Sequence, residues 1–425
     1  MKSKRIVVTG LGVVASNGSD VKQFANAIKI GKSGITHIES LKKLNFLCQI
    51  GGIPKIDSSD TFPLLKQYGL ENSGEAIKYA VMASLEAWTD AGFPLPDADS
   101  SLYEDTGVFL GSSVGNADLW EKAIDYTKQG KHLKLGSLSI EQIFFSSISS
   151  HIAGLLGLGN LCAVGSFACA SGIEAILTGM DRIYSGNAKR MLVGGVDPSS
   201  YYYWAMMDSI RIIAAKYNDY PEQGSRPMSA SACGFVPAAG AGVILIEDMD
   251  TAISRGARIY AEILGGALNC GGQRNGGTMT RLNLIAMQKC ILSALKNSKI
   301  KPGDIEYISG HLTGTKADIH EISTWVNILK RKPSNFPYIN SIKSLTGHPM
   351  GASGGIEIVA TILQMHQKFI SPSVNSEDLH PEIEKLVNRE RIPLSPVLNF
   401  DFDIAAKSSF GFGDVYSCLI LKKFR

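Results

Sequence analysis

No pair among the seven cysteines has the CxxC spacing of a zinc site or a dithiol centre; they fall singly at positions 48, 162, 169, 233, 270, 290 and 418. An odd, scattered set in a 425-residue chain with no secretion signal also argues against a disulfide framework. No apolar run approaches the ~20 residues that a membrane span needs. The opening stretch MKSKRIVVTGLGVVASNG is broken by Thr and Gly, and reads as a first buried strand rather than a signal peptide. Charge of one sign is lacking too. Lys and Arg total 42 against 39 Asp and Glu, which excludes the large clustered excess of a nucleic-acid binder and leaves room only for a local basic patch facing an acidic partner. The reading is a soluble cytoplasmic protein with no nucleic-acid and no membrane partner.

What is present is glycine, at 44 residues, and a hydrophobic fraction of 44%, enough for a large core with many tight turns. Short apolar runs alternate with helical patterns along the whole chain. Strands are expected at 6–8, 107–111, 191–194, 242–246, 259–264, 305–308 and 415–421, and helices at 75–91, 172–184, 283–295 and 317–329. Such alternation predicts an α/β fold with buried sheets. No low-complexity linker divides the chain. The best boundary lies near Arg255–Arg258, giving a first half of residues 1–256 and a second of 257–425. Both carry strand-then-helix units, which suggests an internal duplication.

Four segments carry possible chemistry. Cys169, in AVGSFACASGIEAI, sits between a strand-like stretch and a helix, where helix N–H groups favour a thiolate and lower the thiol pKa. Read blandly, it is a small buried hydrophobe. His311, Thr313 and Thr315, in SGHLTGT, lie on a loop between strand and helix, where α/β active sites form; a solvated surface loop is the alternative. Lys343 and His348 precede a glycine-rich helix start in KSLTGHPMGASGGIEI, with Glu357 inside that helix. A cation beside an imidazole keeps it neutral, as suits a hydrogen-bond donor to a developing oxyanion. Small residues there also serve plain helix–sheet packing. Last, SFGFGD (Ser409–Asp414) offers backbone N–H groups for an oxyanion, or is simply a glycine-rich hairpin.

In this order the four segments resemble the β-ketoacyl-acyl-carrier-protein synthases, the elongating type with a Cys-His-His triad. The likeness runs from VVTGLGVVASNG to SFGFGDVYSCLILKK, essentially the whole chain. It implies the thiolase fold, two similar halves in five αβαβα layers, normally a homodimer. It assigns Cys169 as nucleophile, in ACASG, and His311 and His348 as the paired histidines. Lys343 and Glu357 match the lysine and acidic residue of the third motif. Thr313 and Thr315 match threonines that bind the pantetheine arm. Phe412 matches the gating phenylalanine, whose N–H forms an oxyanion hole with that of Cys169. Arg211 matches a basic residue facing the carrier protein. The implied reaction is acyl transfer to Cys169 from an acyl carrier protein, then decarboxylative condensation with a malonyl-carrier protein. It needs no cofactor and no metal.

The chain also departs from the family. RPMSASACGFVPAAGAG replaces RPxDxxRDGF and GEGAG, with Ala239 where Glu is usual. Leu312 stands for a glycine and is expected to add bulk beside His311. Asp414 and Tyr416 replace small or amide residues, and Asp414 is expected to affect loop opening. GGQRNGGTMT (271–280) is unusually rich in Gly. These changes suggest a specialised polyketide, polyene or pigment pathway rather than housekeeping fatty-acid synthesis. Alternatives are a malonyl-carrier-protein decarboxylase or a non-catalytic chain-length-factor-like subunit, but both usually lack the cysteine. A heterodimer with such a subunit stays open. A thiolase would need a second active cysteine, and Cys418, followed by Leu419 and Ile420, does not match one.

Overall fold

The expected buried strands pair into one ladder, in a computed structural model that describes residues 4–56, 62–97 and 100–425. Ten strands take part: β1 (Ile6–Val14), β2 (Thr106–Gly111), β3 (Cys162–Gly165), β4 (Arg190–Asp197), β5 (Gly240–Asp248), β6 (Ala261–Cys270), β7 (Tyr307–Ser309), β8 (Tyr338–Asn340), β9 (Ile404–Gly411) and β10 (Val415–Lys423). Their order is β8-β7-β9-β10-β6-β1-β5-β4-β2-β3. Split between β6 and β1, this is the same arrangement twice. The first unit runs 3-2-4-5-1 and the second 8-7-9-10-6, so each strand has a counterpart five later. The pairing directions repeat as well: β2 is parallel to β3 and β4, as β7 is to β8 and β9. The β4–β5 and β5–β1 pairs are antiparallel, as are β9–β10 and β10–β6. The units join where Ile6–Val8 meets Ala261–Ile263.

Six helices cover these strands: α1 (Glu75–Asp90), α2 (Ser146–Leu156), α3 (Ser171–Tyr184), α4 (Leu284–Asn297), α5 (Ala317–Leu329) and α6 (Ser353–Gln367). Helices α3 and α6 pack on strands of both units, whereas α1 and α2 cover only the first and α4 covers the second, with α5 packed on α4. The layers are therefore helix, strand, helix, strand, helix. A helix between two sheets has no polar side to offer, and residues 353–365 of α6 are all buried. Glycine makes the middle layer thin. A Cβ at Gly172 of α3 would sit 2.6 Å from the Gly355 nitrogen of α6, and one at Gly242 of β5 would sit 2.2 Å from the Ile356 nitrogen. Helix packing, the plain reading of GASGGIE, is thus correct. It also brings the N-termini of α3 and α6 together at one end of the sheets. No helix among the described residues is long and apolar enough to cross a membrane.

Candidate active site

Cys169 occupies the turn from β3 into α3. The turn is tight: Ala168 takes a left-handed φ of 48°, and the Ser171 hydroxyl both donates to the Ala168 carbonyl at 2.6 Å and accepts from the Phe167 N–H at 2.7 Å. His311 follows β7. Two acidic residues of α5 hold its loop: Glu321 accepts from the N–H groups of His311 (2.8 Å) and Leu312 (2.9 Å), and Asp318 from those of Thr313 (2.8 Å) and Gly314 (3.0 Å). His348 follows β8, its backbone pinned to Val236 and Ala238. Its Nδ1 lies 2.9 Å from the hydroxyl of Ser353, at the start of α6. With that hydroxyl as donor, the ring proton sits on Nε2. The two imidazoles meet edge to face, with centroids 5.4 Å apart.

Two halves of the chain thereby place one thiol and two imidazoles together: donor atoms of Cys169, His311 and His348 all lie within 4.8 Å of one another. Both imidazoles are held well below their ordinary pKa, first by burial and then by the Lys343 ammonium, with Lys407 adding to it. They are neutral at pH 7, as the cation-beside-His argument expects. The thiol differs from expectation. Burial pushes Cys169 up to about 12, against the pull of Lys343 and of the N–H groups of Cys169 and Phe412. The helix-terminus field expected to lower it is outweighed by the desolvation of a sulfur that is only partly open to the cavity, and the sulfur rests as a thiol. The two N–H groups bonding to this sulfur are the pair that can take up an oxyanion formed there.

Lys343 and Glu357 are 1% and 2% exposed and form an ion pair, so they lie behind the site rather than in its cavity. That cavity, about 100 Å³, opens on Cys169 and both histidines. Tyr203, Met207, Phe235 and Met350 line it, Thr313 and Thr315 lie on its approach, and Phe412 stands on the hairpin between β9 and β10. The two threonine hydroxyls are 3.1 Å apart. Arg211 is exposed, just past the helix Tyr201–Ser209 and beside Ile212, which lines the cavity.

The departures resolve into structure. Leu312 is 1% exposed and enters the hydrophobic core with Ile322 and Trp325, so it adds no bulk to the cavity beside His311. In the 226–242 segment, Arg226 reaches Asp378 at 3.0 Å, and the Ser229 and Ser231 side chains join the same polar group. Asp414, Tyr416 and the 271–280 loop form one unit. Asp414, at a left-handed φ of 62°, accepts from the Gln273 N–H at 2.8 Å and the Tyr416 hydroxyl at 2.5 Å, and the Gly413 N–H donates to Met279 at 2.8 Å. Carboxylate and loop fit closely, since a Cβ at Gly271 would meet Asp414 at 2.2 Å.

Sequence reasoning missed Lys407, Glu321, Asp318, Ser353 and Asp197. Asp197 ends β4 and accepts from the Gly351 N–H at 2.6 Å and the Ser112 hydroxyl at 2.7 Å, and burial raises it to about 6. Lys407 had a visible signal, a lone lysine in the otherwise small and apolar AAKSSFGFG strand.

Comparison with known proteins agrees with this geometry along the whole chain. The model of the "Beta-ketoacyl synthase, N-terminal domain" matches residues 3–252, and that of the "Beta-ketoacyl synthase, C-terminal domain" matches residues 260–377. The chain is 29% identical to 3-oxoacyl-[acyl-carrier-protein] synthase 1 of Haemophilus influenzae, over 99% of both proteins. It is 30% identical to the actinorhodin polyketide putative beta-ketoacyl synthase 1 of Streptomyces coelicolor, over 99% of this chain and 88% of that protein. Among solved structures, a beta-ketoacyl synthase from Burkholderia phymatum superposes with a TM-score of 0.88 at 27% identity, covering 99% of this chain and 100% of that one. The AntDE ketosynthase, solved with a type II polyketide acyl-carrier protein, superposes with a TM-score of 0.87 at 29% identity, with full coverage of both chains. A thiolase-type doubled fold, a cysteine at one helix start and two neutral histidines from the other unit thus coincide with matches spanning both halves, and the chain belongs to the beta-ketoacyl synthase family.

Proposed function

We infer that the protein is a 3-oxoacyl-[acyl-carrier-protein] synthase that elongates an acyl chain held on Cys169. The observation that carries this is the convergence of the Cys169 sulfur, two neutral imidazoles and the N–H groups of Cys169 and Phe412. In the first half-reaction Cys169 attacks an acyl-carrier-protein thioester. The two N–H groups stabilise the tetrahedral oxyanion, and the thiol proton ends on the departing carrier thiol. In the second, malonyl-carrier protein loses carbon dioxide, and charge develops on its thioester oxygen. His311 and His348 donate hydrogen bonds to that enolate. Its carbon attacks the acyl-Cys169 carbonyl, the sulfur leaves and takes up a proton, and the β-ketoacyl product departs on its carrier.

The family resemblance supports further roles, with which the positions of these residues are compatible. Thr313 and Thr315 bind the pantetheine arm, Phe412 gates the cavity, and Arg211 contacts the carrier protein. Residues 1–256 form the half that supplies the nucleophile, and 257–425 the half that supplies the histidines. The chain works as a dimer in the cytoplasm, with itself or with a related subunit; one similar structure is named as the ishigamide ketosynthase/chain length factor. The likeness to the actinorhodin enzyme, together with the Asp414 unit, favours a specialised polyketide-type pathway. Intact-protein mass spectrometry after incubation with acyl-carrier proteins of varied chain length tests the reading. An adduct on Cys169 is expected. None with any donor, or one on another cysteine, overturns it. Cys169→Ala is expected to abolish acyl transfer while some malonyl decarboxylation survives.

A further inference from the structure

Behind the two histidines lies a buried charge cluster that the reaction above does not use in full. Glu357 receives Lys343 on one carboxylate oxygen and Lys407 on the other, the second at 2.9 Å. Lys407, on β9, is completely buried, and its ammonium also donates to the Ser408 carbonyl. The Ser408 hydroxyl donates to Glu321 at 2.6 Å, and Glu321 in turn holds the His311 N–H at 2.8 Å. One connected path thus runs from Lys343 through Glu357, Lys407, Ser408 and Glu321 to His311. Burial lowers the Lys407 pKa and the paired Glu357 carboxylate opposes that; with Lys407 protonated, two buried ammoniums balance two buried carboxylates. Three residues past Ser408 the strand passes into the Phe412 hairpin.

We propose that Lys407 is a positioning residue for the condensing reaction: it fixes β9 beneath the Phe412 loop and supplies the second positive charge behind His311 and His348. Without it, one oxygen of Glu357 loses its partner and the cluster becomes net negative beneath two imidazoles. The groups around His311 are Lys343 and His348 from the segment between β8 and α6, Lys407 from β9 with Glu357 of α6 behind both lysines, Glu321 and Asp318 of α5 on the backbone of its loop, and the Cys169 thiol from the turn before α3. The Nδ1 of His311 has no protein partner among the described residues, so the local field decides that ring's charge. A neutral ring donates to the enolate oxygen and leaves the developing charge on the substrate. Burial and the two lysines both act in that direction.

This rests on the condensing role proposed above, and its test reads the imidazole directly. Histidine-labelled full-length protein is titrated by NMR as wild type, Lys407→Met and Lys407→Gln, with the His311 signal assigned by its loss in His311→Gln. Loss of a unit charge across a few ångströms of buried protein is expected to raise the His311 titration midpoint by about half a pH unit or more in both variants. The acid limb of malonyl decarboxylation moves up with it. Lys407→Gln keeps a donor and similar bulk, so it separates charge from packing if Lys407→Met is unstable. Titration curves that superimpose on the wild type overturn the proposal. So does a Lys407 whose every replacement, including Lys407→Met/Glu357→Gln, merely unfolds the chain. A wild-type protein that forms no acyl-Cys169 would instead overturn the condensing role and leave the titration to decide this inference.

Discussion

Gly355→Ala is a severe test of the close approach that assembles the site. The added Cβ would lie 2.1 Å from the Gly242 carbonyl oxygen and 2.7 Å from the Gly195 nitrogen. Both are main-chain atoms of central strands, so neither can rotate away. Ordinary contact begins at 3.4 Å, so α6 has to back off from β4 and β5 by about 1 Å. Alanine gains about 1 kcal/mol in helix propensity over glycine. Overpacking against backbone costs about 1–3 kcal/mol or more. The steric term wins, and a fall in Tm of several degrees is expected. The kinetic effect is larger. Ser353 at the start of α6 holds His348, and a displacement near 1 Å costs on the order of 10²-fold in rate. Calorimetry and a malonyl-dependent condensation assay read the two effects. Gly154→Ala is the control: its Cβ meets nothing within 4 Å, so it is expected to stabilise by up to about 1 kcal/mol. A Gly355→Ala protein as stable and active as wild type would refute the reasoning.

Other outcomes follow from the same geometry. Glu357→Gln leaves two buried ammoniums without their shared carboxylate, and is expected to cost about 3–5 kcal/mol in urea unfolding; a loss under 1 kcal/mol contradicts the cluster. Asp414→Gly removes the acceptor for the Gln273 N–H and the Tyr416 hydroxyl, so hydrogen exchange across 271–282 should speed up while Cys169 still acylates. Unchanged exchange there means that Asp414 does not hold the loop. Both site histidines have pKa values lowered by folding, so their contribution to stability is present above the ordinary 6.5 and is lost as pH falls below it. By the same sign, malonyl decarboxylation by Cys169→Ala should hold its rate down through pH 6.5. A rate already halved at that pH shows that at least one imidazole is charged.

Much of the site was legible because its chemistry is local in sequence. ACASG, SGHLTGT, KSLTGHPMGASGG and SFGFGD each place a reactive group beside small residues at a strand or helix end, and their order along the chain added what no single motif carried. Most strand positions were legible too, since buried strands read as short apolar runs; Tyr338–Asn340 and Ile404–Gly411 were not, the one being very short and the other rich in small and polar residues. Leu312 was misjudged because the sequence names a side chain but not its direction, and this one turns into the core. Lys407 escaped for a related reason: its partner Glu357 lies fifty positions earlier, and only the fold of β9 against α6 makes them neighbours.

The amino-acid sequence by itself determined the α/β class, because hydrophobic period and helix starts are local properties of a chain, and the order of its motifs singled out Cys169, His311 and His348. Tertiary structure alone decided that the strand order repeats across two units, that Asp414 ties the 271–280 loop to the Phe412 hairpin, and that the Cys169 thiol is pushed up to about 12 rather than lowered. Burial and charge pairing depend on which distant segments come to face one another, and the packing of α3 and α6 between two sheets sets that.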